Sequence, residues 1–230
     1  MDPERATIRN VVFDVGNVLL PLNYGPFLAL MTESGVDLTD MRAWLARIGL
    51  EAHERGELAG EVFLERLAAT SGRTLDPVRL RSSWLDMFDE APEMFALATG
   101  LMSDYRVYLL SNIGDLHWEH LDARYGLGGL VHGALASFRA GAVKPDAAIF
   151  REAERQFDLE PVRTVFIDDL GANVRGAEAC GWRGIHHIDA VTTRAACTAS
   201  TSGCPRAPGR AEPCRSSRPR SYCSCCRTCS

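Results

Sequence analysis

Lysine is almost absent from this chain. Of its 25 basic residues 24 are arginine, and the one side-chain ammonium belongs to Lys144. Arginine presents a wide planar fork and lysine a compact charge on a flexible stem, so a single lysine in so arginine-rich a sequence marks a position where the fork is a poor substitute. Cysteine is nearly missing from residues 1–190, where Cys180 stands alone, and the other seven lie between 197 and 229. That distribution excludes a disulfide framework in the globular part and agrees with a reducing compartment. Long apolar runs are missing as well, since none approaches the roughly 18 residues that a membrane-spanning helix needs. The opening Met-Asp-Pro-Glu-Arg carries both signs of charge, and the apolar run behind it stops at Asp14, unlike a signal peptide. A soluble, cytoplasmic protein is expected, with no membrane partner.

What is present divides into two parts. Residues 1–190 hold 18 basic and 29 acidic side chains, net −11, whereas 191–230 hold seven arginines and only Glu212, net +6. An acidic body argues against a nucleic-acid partner. The 46% hydrophobic content suffices for a sizeable core. Val11-Val12-Phe13, Val107 to Leu110 and Val165-Phe166-Ile167 are apolar without alternation, as strands covered on both faces are. Further strands are expected at Ala134 to Phe138 and Gly184 to Ile188. Helical spacing after Pro145 (Ile149, Ala153, Phe157) and after Gly171 (Val174, Ala177) supplies crossovers. The order predicts an α/β fold, a doubly wound, Rossmann-like parallel sheet formed by residues 1–21 and 96–190. Residues 22–95 read as a helical cap inserted after the first strand, with Leu38, Met41, Leu45 and Ile48 on one stripe and Phe63, Leu64, Leu67 and Ala68 on another. Trp44, Trp84 and the cap methionines are expected in its core, and His53 to Glu57 as a solvated turn. From about Val191 large apolar residues vanish and Ser, Thr, Arg, Pro, Gly and Cys take over, which predicts a disordered or aberrant, frameshift-like tail over 191–230. Cys223, Cys225, Cys226 and Cys229 lack the paired C-x-x-C sets of structural zinc sites.

Each long strand ends in polar residues: Asp14 closes the first, Ser111-Asn112 the second and Asp168-Asp169 the third. In open α/β sheets that edge binds ligands. Phe13-Asp14-Val15-Gly16-Asn17-Val18, Leu110-Ser111-Asn112, Val143-Lys144-Pro145-Asp146 and Phe166-Ile167-Asp168-Asp169 together resemble the four ordered motifs of the haloacid dehalogenase-like superfamily. The Asp-x-Gly-Asn-Val form is similar to a sugar-phosphate phosphatase branch that includes glucose-1-phosphate phosphatases. Asp168 to Gly181 resembles the N-terminal phosphatase domain of soluble epoxide hydrolases. The resemblance covers about residues 10–190. It implies a Mg²⁺-dependent phosphatase acting on a small phosphorylated molecule, such as a sugar phosphate, through an aspartyl-phosphate. It also implies Asp14 as nucleophile, Ser111 and Asn112 as phosphate donors, and Lys144 in contact with both nucleophile and phosphate. Asp14 and Asp169 would ligate the metal directly, with the Gly16 carbonyl beside them and Asp168 close by, acting through water.

Elementary electrostatics agrees. Asp14, Asp168 and Asp169 on one edge repel each other and any phosphate unless a divalent cation and one ammonium bring the charge near zero. Lys144 precedes Pro145, which biases it toward extended backbone and suits Pro145 to the first turn of the next helix. One departure stands out. Phosphatases of the superfamily carry a second aspartate two residues after the nucleophile as general acid and base, and Gly16 occupies that place. The chain therefore favours good leaving groups, or His53 or Glu54 of the cap takes over the proton. Two rivals remain at this stage, a carbon-halogen hydrolase, which needs no magnesium, and a non-catalytic binding protein.

Overall fold

The computed structural model describes residues 7–201, and the cysteines at 204, 214, 223, 225, 226 and 229 lie outside them. Strand β1 (Asn10–Phe13) leads into helices α1 (Gly25–Glu33), α2 (Met41–Ile48), α3 (Leu50–Glu54), α4 (Gly60–Ala69) and α5 (Pro77–Leu85). Then come α6 (Pro92–Leu101), β2 (Arg106–Ser111), α7 (Asp115–Tyr125), α8 (Leu127–Leu130), β3 (Gly133–Ala136) and α9 (Ser137–Ala140). The chain continues through α10 (Ala147–Phe157), β4 (Thr164–Asp168), α11 (Gly171–Ala179), β5 (Arg183–His186) and α12 (Ala190–Thr201). All five strands are parallel, in the order β3-β2-β1-β4-β5.

Helices cover both faces of the sheet, which explains strands without alternation. Successive side chains point to opposite faces. Val11, Phe13, Val107, Leu109, Val165 and Ile167 therefore pack with Met94 and Leu97 of α6, Trp118 of α7 and Cys197 of α12. Val12, Tyr108, Leu110 and Phe166 pack with Ile149, Phe150 and Ala177 of α10 and α11. Each such large apolar side chain contributes about 1.5–3 kcal/mol on burial.

Helices α1 to α5 enclose a separate apolar cluster that includes Phe27, Trp44, Ile48, Phe63, Leu67 and Trp84. Asp40 caps α2 by accepting from Ala43 N at 2.9 Å, and Gly49, at φ 76°, turns the chain from α2 into α3. The segments entering and leaving this cap lie side by side. Leu22 bridges Phe88 antiparallel, Asn23 N donates to Met87 O at 2.7 Å and Asp89 N to Pro21 O at 2.8 Å.

Several elements differ from the sequence reading. Helix α6 begins inside the range 22–95 yet packs on the sheet, because Met94, Leu97 and Ala98 fit the core stripe and not the cap. Helix α12 occupies the start of the range 191–230, with Thr193 and Cys197 only 1% and 2% exposed. Its core face is built from small groups, Ala190, Ala196 and Cys197, so a search for large apolar residues passes over it. The Lys144–Pro145 peptide is cis and α10 starts at Ala147, so Pro145 belongs to the preceding turn. His53 and Glu54 end a helix and do not form a solvated connection, and His53 is buried. Among the described residues no helix is long and apolar enough to cross a membrane.

Candidate active site

Phe13 pairs with Leu109 on one side and Ile167 on the other, so the next residue, Asp14, emerges beside Asp168 at the carboxyl edge. Its amide donates to Ile167 O at 2.9 Å. The chain then folds over itself: Val15 O accepts from Leu19 N and Leu20 N, both at 2.9 Å. Asn17 takes a left-handed φ of 53°, which asparagine tolerates better than most residues. Its Oδ1 accepts from Leu22 N at 2.9 Å and its Nδ2 donates to Asp169 Oδ2 at 3.0 Å. A loop residue thus fixes the orientation of one acidic side chain.

Lys144 lies 3% exposed between two carboxylates, its Nζ 2.8 Å from Asp14 Oδ1 and 2.6 Å from Asp168 Oδ2. Asp168 is saturated, since Leu170 N reaches its Oδ1 at 2.8 Å and Asn173 Nδ2 reaches both oxygens at 3.0 and 3.1 Å. Asp14 Oδ1 also accepts from Val15 N at 2.7 Å, and the Ser111 side chain acts to lower the pKa of the same carboxyl. One oxygen of Asp14 is therefore locked, which aims the other. Burial pushes the Asp14 carboxyl up to about 7, with Lys144 opposing and Asp168 reinforcing. Burial also acts to lower the Lys144 ammonium, but Asp14 and Asp168 outweigh it and hold its pKa above the ordinary value.

Asp14, Asp168 and Asp169 each bring an oxygen within 4.8 Å of the others. Two carboxylate charges at that separation repel by about 3 kcal/mol at an effective dielectric constant near 20. One ammonium cannot balance three of them, and all the donors offered are hard oxygens, so the set suits Mg²⁺. The donor chemistry fits the implied cation, while the bonds already made by Asp168 direct it toward Lys144.

The cap is fastened over this edge. Ser137 Oγ donates to Glu54 O at 2.6 Å, Arg55 Nη2 to Asp146 Oδ2 at 2.6 Å and Gly60 N to Asp115 Oδ2 at 3.1 Å. Gly56, at φ 73°, lies so close to Phe138 O that a side chain would collide with it. Between cap and sheet is a cavity of about 100 Å³, lined by Gly16, Ser111 and Asn112 from below and by Tyr24, His53, Glu54, Trp84 and Phe88 from the cap. Burial raises the Glu54 carboxyl to about 7, with Lys144 opposing and Asp14 and Glu51 adding to the rise.

The sequence profile of the haloacid dehalogenase-like hydrolases matches residues 8–181. The chain belongs to this family. D-ribitol-5-phosphate phosphatase of Bacteroides thetaiotaomicron is 26% identical to it over 184 residues, 76% of this chain and 89% of that one. A sesquiterpene phosphatase of Aspergillus oryzae is 24% identical over 192 residues, 81% of this chain and 93% of that one. Among solved structures, a HAD family enzyme of Bacteroides thetaiotaomicron in complex with magnesium and inorganic phosphate superposes with a TM-score of 0.70 at 22% identity, covering 79% of this chain and 94% of that one.

Within this haloacid dehalogenase-like hydrolase the expected residues converge from four segments. Asp14, Ser111, Lys144, Asp168 and Asp169 meet at one edge, and Gly16, His53 and Glu54 line the cavity above it. Asn112 also lines the cavity but has a task the sequence did not suggest. Its side chain holds the backbone of Lys144. Two participants were missed, Asn17 and Asn173. Asn17 was visible as part of Asp-x-Gly-Asn, and Asn173 as a polar residue one turn into the helix behind the acidic pair.

Proposed function

We propose that this haloacid dehalogenase-like hydrolase is a Mg²⁺-dependent phosphatase that hydrolyses a small phosphate monoester through an aspartyl-phosphate. The observation that carries the reading is Lys144, bonded at once to Asp14 and Asp168 beneath a cavity that opens onto Ser111. Its ammonium and the Val15 amide hold one Asp14 oxygen, and the other attacks phosphorus. The bond from phosphorus to the leaving oxygen breaks, and that oxygen takes a proton. Water then attacks the acyl phosphate at phosphorus, releasing inorganic phosphate and regenerating Asp14. Lys144 and Ser111 supply positive charge and a donor for the oxygens on which charge develops.

Magnesium, when bound, offsets the clustered carboxylate and phosphate charge and polarises the phosphoryl group. Asp14 and Asp169, with the carbonyl of Gly16, are the residues that would hold it. Asp168 acts instead on Lys144, since four hydrogen bonds and ion-pair contacts already engage its oxygens.

Gly16 leaves the leaving group without the usual acid. Glu54 supports that role, because it faces the same cavity and burial keeps it protonated up to about pH 7. His53 is less suited, its Nδ1 bonded to Leu58 O at 3.0 Å and its ring stacked on Phe63. Phosphate release should require Mg²⁺, stop on chelation, and fall by about 10³-fold or more in Asp14→Asn. Turnover unchanged by chelation or in that variant would refute the proposal.

A further inference from the structure

Glu54 lines the cavity over Asp14, close enough for the charges of Lys144 and Asp14 to act on its carboxyl. Among the described residues no hydrogen bond holds that carboxyl, so its backbone decides where it stands. Glu54 is the last residue of α3, where a carbonyl finds no donor in a following helical turn. Ser137 supplies the donor: its Oγ lies 2.6 Å from Glu54 O.

Ser137 opens α9, is fully buried and lies behind the cavity wall without lining it. A hydroxyl has one proton and two lone pairs. Ile113 N donates to Oγ at 2.9 Å, which uses a lone pair, and the proton has two acceptors within reach, Glu54 O at 2.6 Å and Ile113 O at 3.2 Å. The second is longer than an O–H···O bond normally is, so the proton goes to Glu54 O. One side chain thus joins the cap corner that carries Glu54 to the chain two residues beyond Ser111. The next residue completes the grip, since Phe138 O lies where a side chain on Gly56 would have to be. Arg55 also reaches Asp146, at 2.6 Å, but that carboxylate is 50% exposed, and ion pairs so open to water hold little.

Resting on the reading of Glu54 as the acid of this phosphatase, we infer that Ser137 is a positioning residue, whose hydroxyl holds the cap corner so that the Glu54 carboxyl meets the leaving oxygen. As the phosphorus–oxygen bond breaks, the carboxyl proton passes to that oxygen and Glu54 is left as a carboxylate. Ser137 touches no substrate and acts through Glu54 alone.

The test measures kcat with Mg²⁺ on propyl phosphate, whose alkoxide needs a proton to leave, and on p-nitrophenyl phosphate, whose phenolate does not. Ser137→Ala should lower kcat on propyl phosphate by about tenfold or more and on p-nitrophenyl phosphate by less than about threefold. In the Glu54→Gln background the same substitution should change the propyl phosphate rate by less than about threefold, because a residue that acts through another adds nothing once that other is gone. Gly56→Ala, at an exposed position, pushes the same corner off Phe138 O without disturbing the core and should reproduce the pattern. Equal losses on both esters, a loss that persists in Glu54→Gln, or no loss at all overturns the inference. Wild-type turnover of propyl phosphate by Glu54→Gln alone removes the acid assignment and this inference with it. Absence of turnover on both esters would sink the phosphatase reading instead, so a second measurement stands apart from catalysis. In the full chain with ¹³C-labelled glutamate carboxyls, the Glu54 resonance, identified by its loss in Glu54→Gln, should move in Ser137→Ala and in Gly56→Ala. An unmoved resonance in Ser137→Ala rejects the positioning role whatever the kinetics.

Discussion

Asn112 grips the backbone of Lys144 from both sides: its Nδ2 donates to Lys144 O at 2.9 Å and its Oδ1 accepts from Lys144 N at 2.7 Å. The pairing ties the end of β2 to the turn before α10, two segments that share no strand pairing. It sets where the ammonium stands relative to Asp14 and Asp168.

Asn112→Asp removes the donor and sets a negative charge against Lys144 O. Turnover should fall by about 10²-fold, as misplacement of a charged group by about 1 Å does. Asn112→Ala should fall similarly and lose about 1–3 kcal/mol of stability for two unsatisfied backbone groups. If Asn112 acts by placing Lys144, the loss appears in kcat on every ester alike, and a loss confined to KM would contradict the assignment.

How far the site was readable from sequence follows from the range of its contacts. Asp14, Lys144 and the Asp168-Asp169 couple stand out because each follows an apolar run or breaks a composition bias, and their meeting follows from strand order. The partners of those residues are harder. Asn173 serves Asp168 only because the turn at Leu170 brings the first turn of α11 back over the strand end, and Asn17 serves Asp169 only through a left-handed backbone. Trp84 was expected to be cap core, and it is, although the residue also lines the cavity. The cap boundary near Phe88 and the helix α12 depend on which surface accepts a small-residue face, and spacing alone does not encode that.

Gly16 supplies a second prediction. Its backbone is not in the left-handed region, and an added Cβ would meet only the tip of Leu22, at 3.2 Å. Gly16→Asp should therefore fold and place a carboxyl near the leaving group. Hydrolysis of an alkyl phosphate should rise by about 10-fold or more, within the range general acid catalysis provides, while p-nitrophenyl phosphate, whose leaving group needs no proton, should change little. Equal effects on both esters would show that proton donation is not what the glycine lacks.

Glu54 carries the third. Burial, the Asp14 charge and Glu51 raise its carboxyl to about 7 against the pull of Lys144, and a general acid works only while protonated. The rate on an alkyl ester should accordingly fall as pH rises through about 7, and Glu54→Gln should remove that limb and lower the plateau by about 10²-fold. The p-nitrophenyl ester should keep its profile in the variant. A descending limb that survives in Glu54→Gln assigns the proton to another group.

His117 sets a pH dependence of stability that is independent of catalysis. Its Nε2 donates to Trp84 O at 2.7 Å and its ring lies between Trp84 and Phe88, at centroid distances of 4.5 and 5.0 Å. Burial pushes its pKa down from 6.5 to about 4, partly offset by the bond to Trp84 O. The folded protein thus keeps the ring neutral, and the unfolded chain binds the proton first. Stability from this group is complete above pH 6.5, declines as pH falls from 6.5 toward about 4, and declines no further below that. The displacement from 6.5 to about 4, at about 1.4 kcal/mol per pH unit, amounts to about 3 kcal/mol. Urea unfolding at pH 7 and pH 4.5 should show His117→Gln losing about 2 kcal/mol less than the wild type between the two conditions, other groups contributing equally to both proteins. Identical losses would mean that the imidazole takes up its proton without leaving the fold.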